Sequence, residues 1–307
     1  MSVTWCCADT KAEPWLAALH RELPDAVLYD WHADPTPADY AVVWAPPQAF
    51  FDSQPQLQAV FNIGAGVNAL MALPGLPPHL PVVRLEDAGM AQQMAEYVTH
   101  AVLRHYRGFD GYDASARAGE WRRHAPPRRA DYPVGVMGMG TLGTHVAQVL
   151  AQFGFPVHGW ARTARHVEGV QCFHGAAQLD EFLQVTRILV CLLPLTPQTQ
   201  DIVNARSLAL LRPGGYLINV ARGALVVDDD LLAAIASGHL AGATLDVFRT
   251  EPLPAGHAFW KEPKITLTPH ISAATLRDEA IAQIAGKIRA LREGRAISGI
   301  VERARGY

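Results

Sequence analysis

Cysteine is scarce in this chain and carries no ligand spacing: Cys6, Cys7, Cys172 and Cys191 are the only four in 307 residues, with no Cys-x-x-Cys pair. That argues against a disulfide framework or a thiolate zinc site, and for small buried hydrophobes in a reducing compartment. The histidines form no His-Glu-x-x-His or comparable cluster, so no metal is expected. Charge is sparse as well. Asp, Glu, Lys and Arg make up 18% of the residues, the formal net charge is -3, and there is no basic run. Nucleic acid and anionic membrane surfaces are therefore not expected partners. No apolar run approaches the ~20 residues of a membrane span. No basic stretch followed by an apolar one marks a signal peptide. The expectation is a soluble, cytoplasmic protein. Half of the residues are hydrophobic, which supports a sizeable core and argues against disorder. The length suits two domains better than one.

What the chain does have is alternation. Residues 3–7, 26–29, 41–44, 59–63 and 82–85 are apolar runs separated by polar or helical stretches. This predicts an α/β fold with a mostly parallel sheet and helices on both faces. Met94, Tyr97, Val98, Ala101, Val102 and His105 give residues 91–107 a helical stripe. Residues 108–132 hold Gly, Arg, Trp and Pro-Pro with weak periodicity, and read as a surface excursion or partner-contact segment. The alternation then resumes. Strands are expected at 134–137, 157–160, 188–193, 216–220, 243–247 and 265–268, with a short one near 170–173. Asp228 reads as the N-cap of a helix closed by Gly238. Thr275 and Asp278 read as a capping box for a last helix striped by Leu276, Ala280, Ile281, Ile284, Ile288 and Leu291.

The strand at 134–137 leads into Gly138-Met139-Gly140-Thr141-Leu142-Gly143, and Leu142, Val146, Val149, Leu150 and Phe153 continue it as a helix. Such glycines alone can be a tight turn. Between a strand and a helix they let a pyrophosphate approach the backbone at a helix N-terminus. A reader of NAD usually ends its second strand with an acid that binds the ribose 2′-hydroxyl. Here that position is Ala161, followed by Arg162 and Thr163. An arginine without the acid favours a 2′-phosphate, and hence NADP(H).

Downstream stand three phrases: Asn219-Val-Ala-Arg222-Gly, Glu251-Pro-Leu-Pro and Thr268-Pro-His270-Ile-Ser. An arginine can hold a carboxylate, a histidine can move a proton, and a glutamate can keep that histidine charged and aimed. Each also has an ordinary reading, as a strand-end cap, a loop acid and a core histidine. Together with Leu192-Leu-Pro-Leu-Thr-Pro-Gln-Thr199, Leu245-Asp246-Val-Phe, Asn62-Ile-Gly-Ala-Gly-Val-Asn68 and Arg84-Leu-Glu-Asp-Ala-Gly-Met90, these phrases carry a resemblance. The chain resembles the D-isomer-specific 2-hydroxyacid dehydrogenases, and among them the NADPH-dependent glyoxylate/hydroxypyruvate reductases, over nearly its whole length.

The resemblance implies two Rossmann-like or flavodoxin-like domains with the active site in the cleft between them. A substrate domain would hold residues 1–98 and 274–307, and a dinucleotide domain residues 99–273. It implies Arg222, Glu251 and His270 as the catalytic trio, reducing a 2-oxo acid to a 2-hydroxy acid. Cofactor contacts would fall at Met139, Gly140, Thr141 and Leu142, at Trp160, Ala161, Arg162 and Thr163, and at Leu193, Pro194 and Thr199. Val220, Ala221, Arg222, Asp246 and His270 complete that set. For Asp246, a strand-end acid bonding a nearby loop is an equal alternative. Substrate contacts would come from Trp44, Ala65, Gly66, Arg222 and His270. A core tryptophan and a plain glycine turn are equal alternatives for the first three. The resemblance further implies a homodimer, with 91–107 and 108–132 as candidate contacts. A reductase for a bulkier 2-oxo acid, a phosphoglycerate-type dehydrogenase and a dinucleotide-sensing scaffold of the same fold stay open. The pair Ala161-Arg162 argues against the usual NAD-dependent form of the second.

Overall fold

Short apolar runs become strands, the central ones buried on both faces, as happens when helices cover a parallel sheet on each side. The computed structural model describes residues 1–8, 10–64 and 66–303. The chain divides into two units, Met1–Met90 with Thr275–Tyr307, and Ala91–Ala274. Among the described residues no helix is long and apolar enough to cross a membrane.

In the first unit, β1 (Ser2–Cys7), β2 (Val27–Asp30), β3 (Tyr40–Trp44), β4 (Ala59–Asn62) and β5 (Val82–Arg84) form a parallel sheet in the order β2-β1-β3-β4-β5. Cys6, Val43, Val60 and Val82 pack with Phe50, Leu70 and Leu80. The Arg277–Arg292 helix buries Ala280, Ile281, Ile284 and Ile288. Its Arg289 donates to the Glu22 carbonyl, 2.7 Å away, at the end of the Ala12–Glu22 helix.

The second unit holds β6 (Val134–Met137), β7 (Val157–Ala161), β8 (Gln171–His174), β9 (Ile188–Cys191), β10 (Gly215–Asn219), β11 (Leu240–Leu245) and β12 (Ile265–Leu267). All pair parallel, in the order β12-β11-β10-β9-β6-β7-β8. Alternation along each strand sorts the core into two layers. Met137, Leu189, Leu217 and Leu245 pack with Phe182, Leu208, Leu231 and Ile235. Val136, Val190 and Ile218 pack with Val98, Val102, Val146 and Leu150. Strand order reverses between β6 and β9, and sheets of this kind bind ligands at the carboxyl ends of the strands flanking such a point.

The helices depart from expectation in places. Residues 109–117 form a helix, Phe109–Arg117, within the stretch read as irregular. Its only buried residue is Ser115, so no apolar stripe announces it. It is tied to the preceding Met90–Arg107 helix by charge, with Arg104 2.6 Å from both Asp110 and Asp113. Asp228 is not an N-cap. Val227 caps the Asp228–Ala236 helix, and the Asp228 carboxyl lies 3.6 Å from Arg249 and 3.4 Å from His257. Thr275 forms no capping box either. Its hydroxyl donates to the Ile63 carbonyl at 2.8 Å, and Leu276 occupies the cap position, 41% exposed.

Candidate active site

At the end of β6 the three glycines of the loop do different work. Gly138 has φ +114, and a Cβ there would lie 2.6 Å from the Leu192 carbonyl oxygen. A Cβ on Gly143 would lie 1.9 Å from the Gly138 carbonyl oxygen, so this position lets the Thr141–Gln152 helix close onto the loop. A Cβ on Gly140 would meet no atom within 4 Å. Gly140 is also the N-cap, and no side chain caps the helix. First-turn N–H groups have no partner inside a helix, and they carry the positive dipole end. The loop therefore fits a dinucleotide pyrophosphate: two glycines shape it, and the third leaves its outer side bare.

The remaining positions of that site separate into side chains turned inward and groups left outside. Met139 is buried, and a Cβ on Gly159 would lie 2.7 Å from its sulfur. Leu142 packs on the same core. Trp160 is buried and donates through Nε1 to the Gly175 carbonyl at 3.0 Å. Met139 and Trp160 thus offer a ligand little but backbone. Ala161 ends β7 half-buried, and Arg162 and Thr163 are exposed beyond it. Leu193 is buried and Pro194 half-buried. Thr199 fixes their loop, donating to the Pro194 carbonyl at 2.7 Å and accepting from Thr196 N–H at 2.8 Å.

The turn after β10 presents Arg222. Val220 and Ala221 are buried. The Asn219 amide spans the turn, accepting from Ala221 N–H at 3.2 Å and donating to the Arg222 carbonyl at 3.0 Å. Gly223 lets this turn touch the next loop, since a Cβ there would lie 1.9 Å from the Phe248 carbonyl carbon. Burial lowers the pKa of Arg222, and the charge of Glu251 opposes that shift. A guanidinium stays protonated even so.

Glu251 and His270 meet directly. Glu251 Oε2 lies 2.8 Å from His270 Nδ1, while Oε1 accepts from Phe248 N–H at 2.9 Å. His270 adopts φ +57, a backbone conformation that non-glycine residues seldom take. Its N–H donates to the Asp246 carbonyl at 2.8 Å. The Asp246 carboxylate is fully buried and accepts from Thr268 Oγ1 at 2.6 Å, Ile271 N–H at 2.8 Å and Ser272 N–H at 2.8 Å. Asp246 thus bonds the loop that carries His270. The structure brings Arg222, Glu251 and His270 together on the second unit. Asn219, Thr268 and the Phe248 N–H were given no role by the sequence reading. Only their places inside or beside the quoted phrases hinted at one.

In the first unit, Trp44 is 39% exposed at the end of β3. Gly64 sits against its ring, where a Cβ would lie 2.4 Å from Trp44 Cζ3. Trp44 is therefore not a core residue. Asn62 donates to the Gly64 carbonyl at 2.8 Å and the Gly66 carbonyl at 3.1 Å, which turns both carbonyls inward. Ala65 lies outside the described residues. Among the described residues, no group of three or more His, Cys, Asp or Glu is placed to hold a metal.

Residues 99–272 match the family described as D-isomer specific 2-hydroxyacid dehydrogenase, NAD binding domain. The chain belongs to the D-isomer specific 2-hydroxyacid dehydrogenase family. Among similar members, a glyoxylate/hydroxypyruvate reductase A from Serratia proteamaculans is 48% identical over 302 residues, 96% of each chain. A protein of the same name from Yersinia enterocolitica is 45% identical over 303 residues, 97% of each chain. A D-isomer specific 2-hydroxyacid dehydrogenase from Xanthobacter autotrophicus, solved with NADPH and MES, superposes with a TM-score of 0.95 at 41% identity, covering 100% of this chain and 99% of that one. An NADPH-dependent glyoxylate/hydroxypyruvate reductase from Sinorhizobium meliloti, solved with NADP and sulfate, gives 0.93 at 39% identity over 100% and 99%. In this dehydrogenase Arg222, Glu251 and His270 all lie within the matched region, His270 two residues before its end.

Proposed function

We propose that this protein reduces small 2-oxo acids, glyoxylate and hydroxypyruvate, to glycolate and D-glycerate, with His270 as proton donor and NADPH as cofactor. The contact of His270 Nδ1 with Glu251 Oε2 at 2.8 Å carries the reading. A carboxylate only accepts, so Nδ1 holds a proton against it; in the imidazolium Nε2 carries the second proton, which passes to the substrate oxygen and leaves the neutral ring with its proton on Nδ1. Glu251 thereby fixes the ring's tautomer and aim. Arg222 holds the substrate carboxylate and polarises the carbonyl as negative charge develops on its oxygen. Bound NADPH supplies the hydride. The Gly140 loop and the backbone at Met139, Thr141 and Leu142 hold the pyrophosphate, and Arg162 pairs with the 2′-phosphate where Ala161 replaces an acid. Trp160, Thr163, Leu193, Pro194, Thr199, Val220 and Ala221 are assigned to the rest of the dinucleotide. The Ala91–Ala274 unit is thus the dinucleotide domain, and the other unit supplies substrate recognition. There Gly66 and Ala65 are assigned to the carboxylate. The N–H groups of Gly64 and Gly66 have no acceptor among the described residues. Trp44 is assigned as the wall that favours small substrates. The activity named for the Serratia and Yersinia relatives supports the substrate class. The NADPH and NADP complexes support the cofactor.

We further propose a homodimer through residues 91–107 and 108–132, where Trp121 is 96% exposed and Phe109 42% exposed. A cytoplasmic location is supported by four free cysteine thiols.

Initial rates over a panel of 2-oxo acids with NADPH and NADH test the function. Turnover of glyoxylate and hydroxypyruvate with a preference for NADPH is expected. His270→Ala should lower the rate by roughly 10²–10⁴, and Arg222→Ala should abolish saturation by the acid. Arg162→Ala should weaken NADPH about tenfold or more while sparing NADH. Equal use of NADH would overturn the cofactor assignment. NADPH binding without reduction of any 2-oxo acid would point to a dinucleotide-sensing scaffold.

A further inference from the structure

His270 is held in its left-handed conformation by bonds on both sides. Asp246 grips Thr268 two residues before it and Ile271 and Ser272 after it. The Asp246 carboxylate only accepts, so the single Thr268 hydroxyl hydrogen is committed to it. The Tyr97 hydroxyl lies 2.5 Å from Thr268 Oγ1. With Thr268 already donating, Tyr97 must be the donor in that pair. The order of protons is therefore forced: Tyr97 to Thr268, and Thr268 to Asp246. Tyr97 stands on the Met90–Arg107 helix, one turn after Gln93. The Gln93 amide clasps Ala274 from both sides, accepting from its N–H at 3.2 Å and donating to its carbonyl at 2.9 Å. One face of one helix thus holds both ends of the segment that carries His270.

We propose that Tyr97 is a positioning residue for His270, acting through Thr268 and Asp246. It touches neither substrate nor cofactor in this role. By filling the Thr268 oxygen's acceptor site, it keeps the Thr268 hydroxyl from turning away from Asp246, and the Asp246 clamp keeps His270 at φ +57. A residue in a sparsely populated conformation persists only where its surroundings over-determine it. The mechanistic part of the inference rests on the reading of His270 as proton donor.

Tyr97→Phe removes one hydroxyl and keeps the ring. It should lower kcat about tenfold, equivalent to about 1.4 kcal/mol, with KM for NADPH unchanged. Thr268→Val should match it, Thr268→Ser should retain the rate, and the double variant Tyr97→Phe with Thr268→Val should be no slower than Thr268→Val alone. The imidazole ¹⁵N resonances of His270, assigned by their loss in His270→Gln, should move in Tyr97→Phe and in Thr268→Val. Unchanged kcat and unchanged His270 resonances in both would overturn the inference. So would a Thr268→Ser variant as slow as Thr268→Val, which would assign the effect to the methyl group. Should Tyr97→Phe not fold, the two Thr268 variants decide alone. A wild-type protein that reduces no 2-oxo acid defeats the functional reading, and the resonances then judge the positioning role separately.

Discussion

His105 is held neutral by the fold. It stacks on Tyr216 with ring centroids 4.2 Å apart, and its buried Nε2 has no hydrogen-bond partner among the described residues. Burial, with Arg187 nearby adding repulsion, lowers its pKa from 6.5 to about 4. The unfolded chain binds the proton first as pH falls, so the folded state loses stability from about pH 6.5 down to about pH 4. The full effect is up to roughly 3 kcal/mol. Urea midpoints at pH 7.5 and pH 5 should show a marked acid loss in the wild type and a smaller one in His105→Phe. Equal losses in the two proteins would refute this account. The residue scale also shows what a sequence can display. Arg222, Glu251 and His270 were legible as a candidate set because their chemistry is in their types. Tyr97 looked like one more residue of a helical stripe, because the partner that gives its hydroxyl a purpose lies 171 positions away. Asp246 was legible as an acid at a strand end, and the three bonds its buried carboxylate accepts came from residues 22 to 26 positions further on.

Among the elements, the strand-loop-helix at Gly138 makes a divided prediction. Gly140→Ala adds a methyl where no atom lies within 4 Å, at φ -80, which alanine tolerates. It should leave the melting temperature of the unliganded protein unchanged and reduce the stabilisation that NADPH confers. Gly143→Ala forces a Cβ to within 1.9 Å of the Gly138 carbonyl oxygen. It should destabilise the unliganded protein by roughly 1–3 kcal/mol. Thermal unfolding with and without NADPH checks both, and equal behaviour would refute the division. Strands were the most legible elements, since β6 and β9 are buried along their whole length and show it as unbroken apolar runs. The Phe109–Arg117 helix was not legible, because it is held by Arg104 and its acids rather than by an apolar face. The caps at Asp228 and Thr275 were misplaced for a related reason. Both side chains had tertiary partners that outweighed local capping.

For the molecule as a whole, Trp121 is the test of assembly. It is 96% exposed in the stretch following the Phe109–Arg117 helix. Large exposed aromatics concentrate at protein interfaces. Trp121→Ser should convert a dimer to a monomer in sedimentation experiments without changing the fold by circular dichroism, and an unaltered sedimentation coefficient would refute the proposed contact. The division of the chain also has a bearing on biosynthesis. One unit is continuous from Ala91 to Ala274, whereas the other needs residues from before and after it. A ribosome delivers residues in order, and domains generally fold as units. The Ala12–Glu22 helix emerges before the inserted unit, yet its contact with Arg289 must wait until that unit has been translated. The inserted unit can therefore mature before the host that encloses it in sequence, and the nascent host is the part in need of shelter.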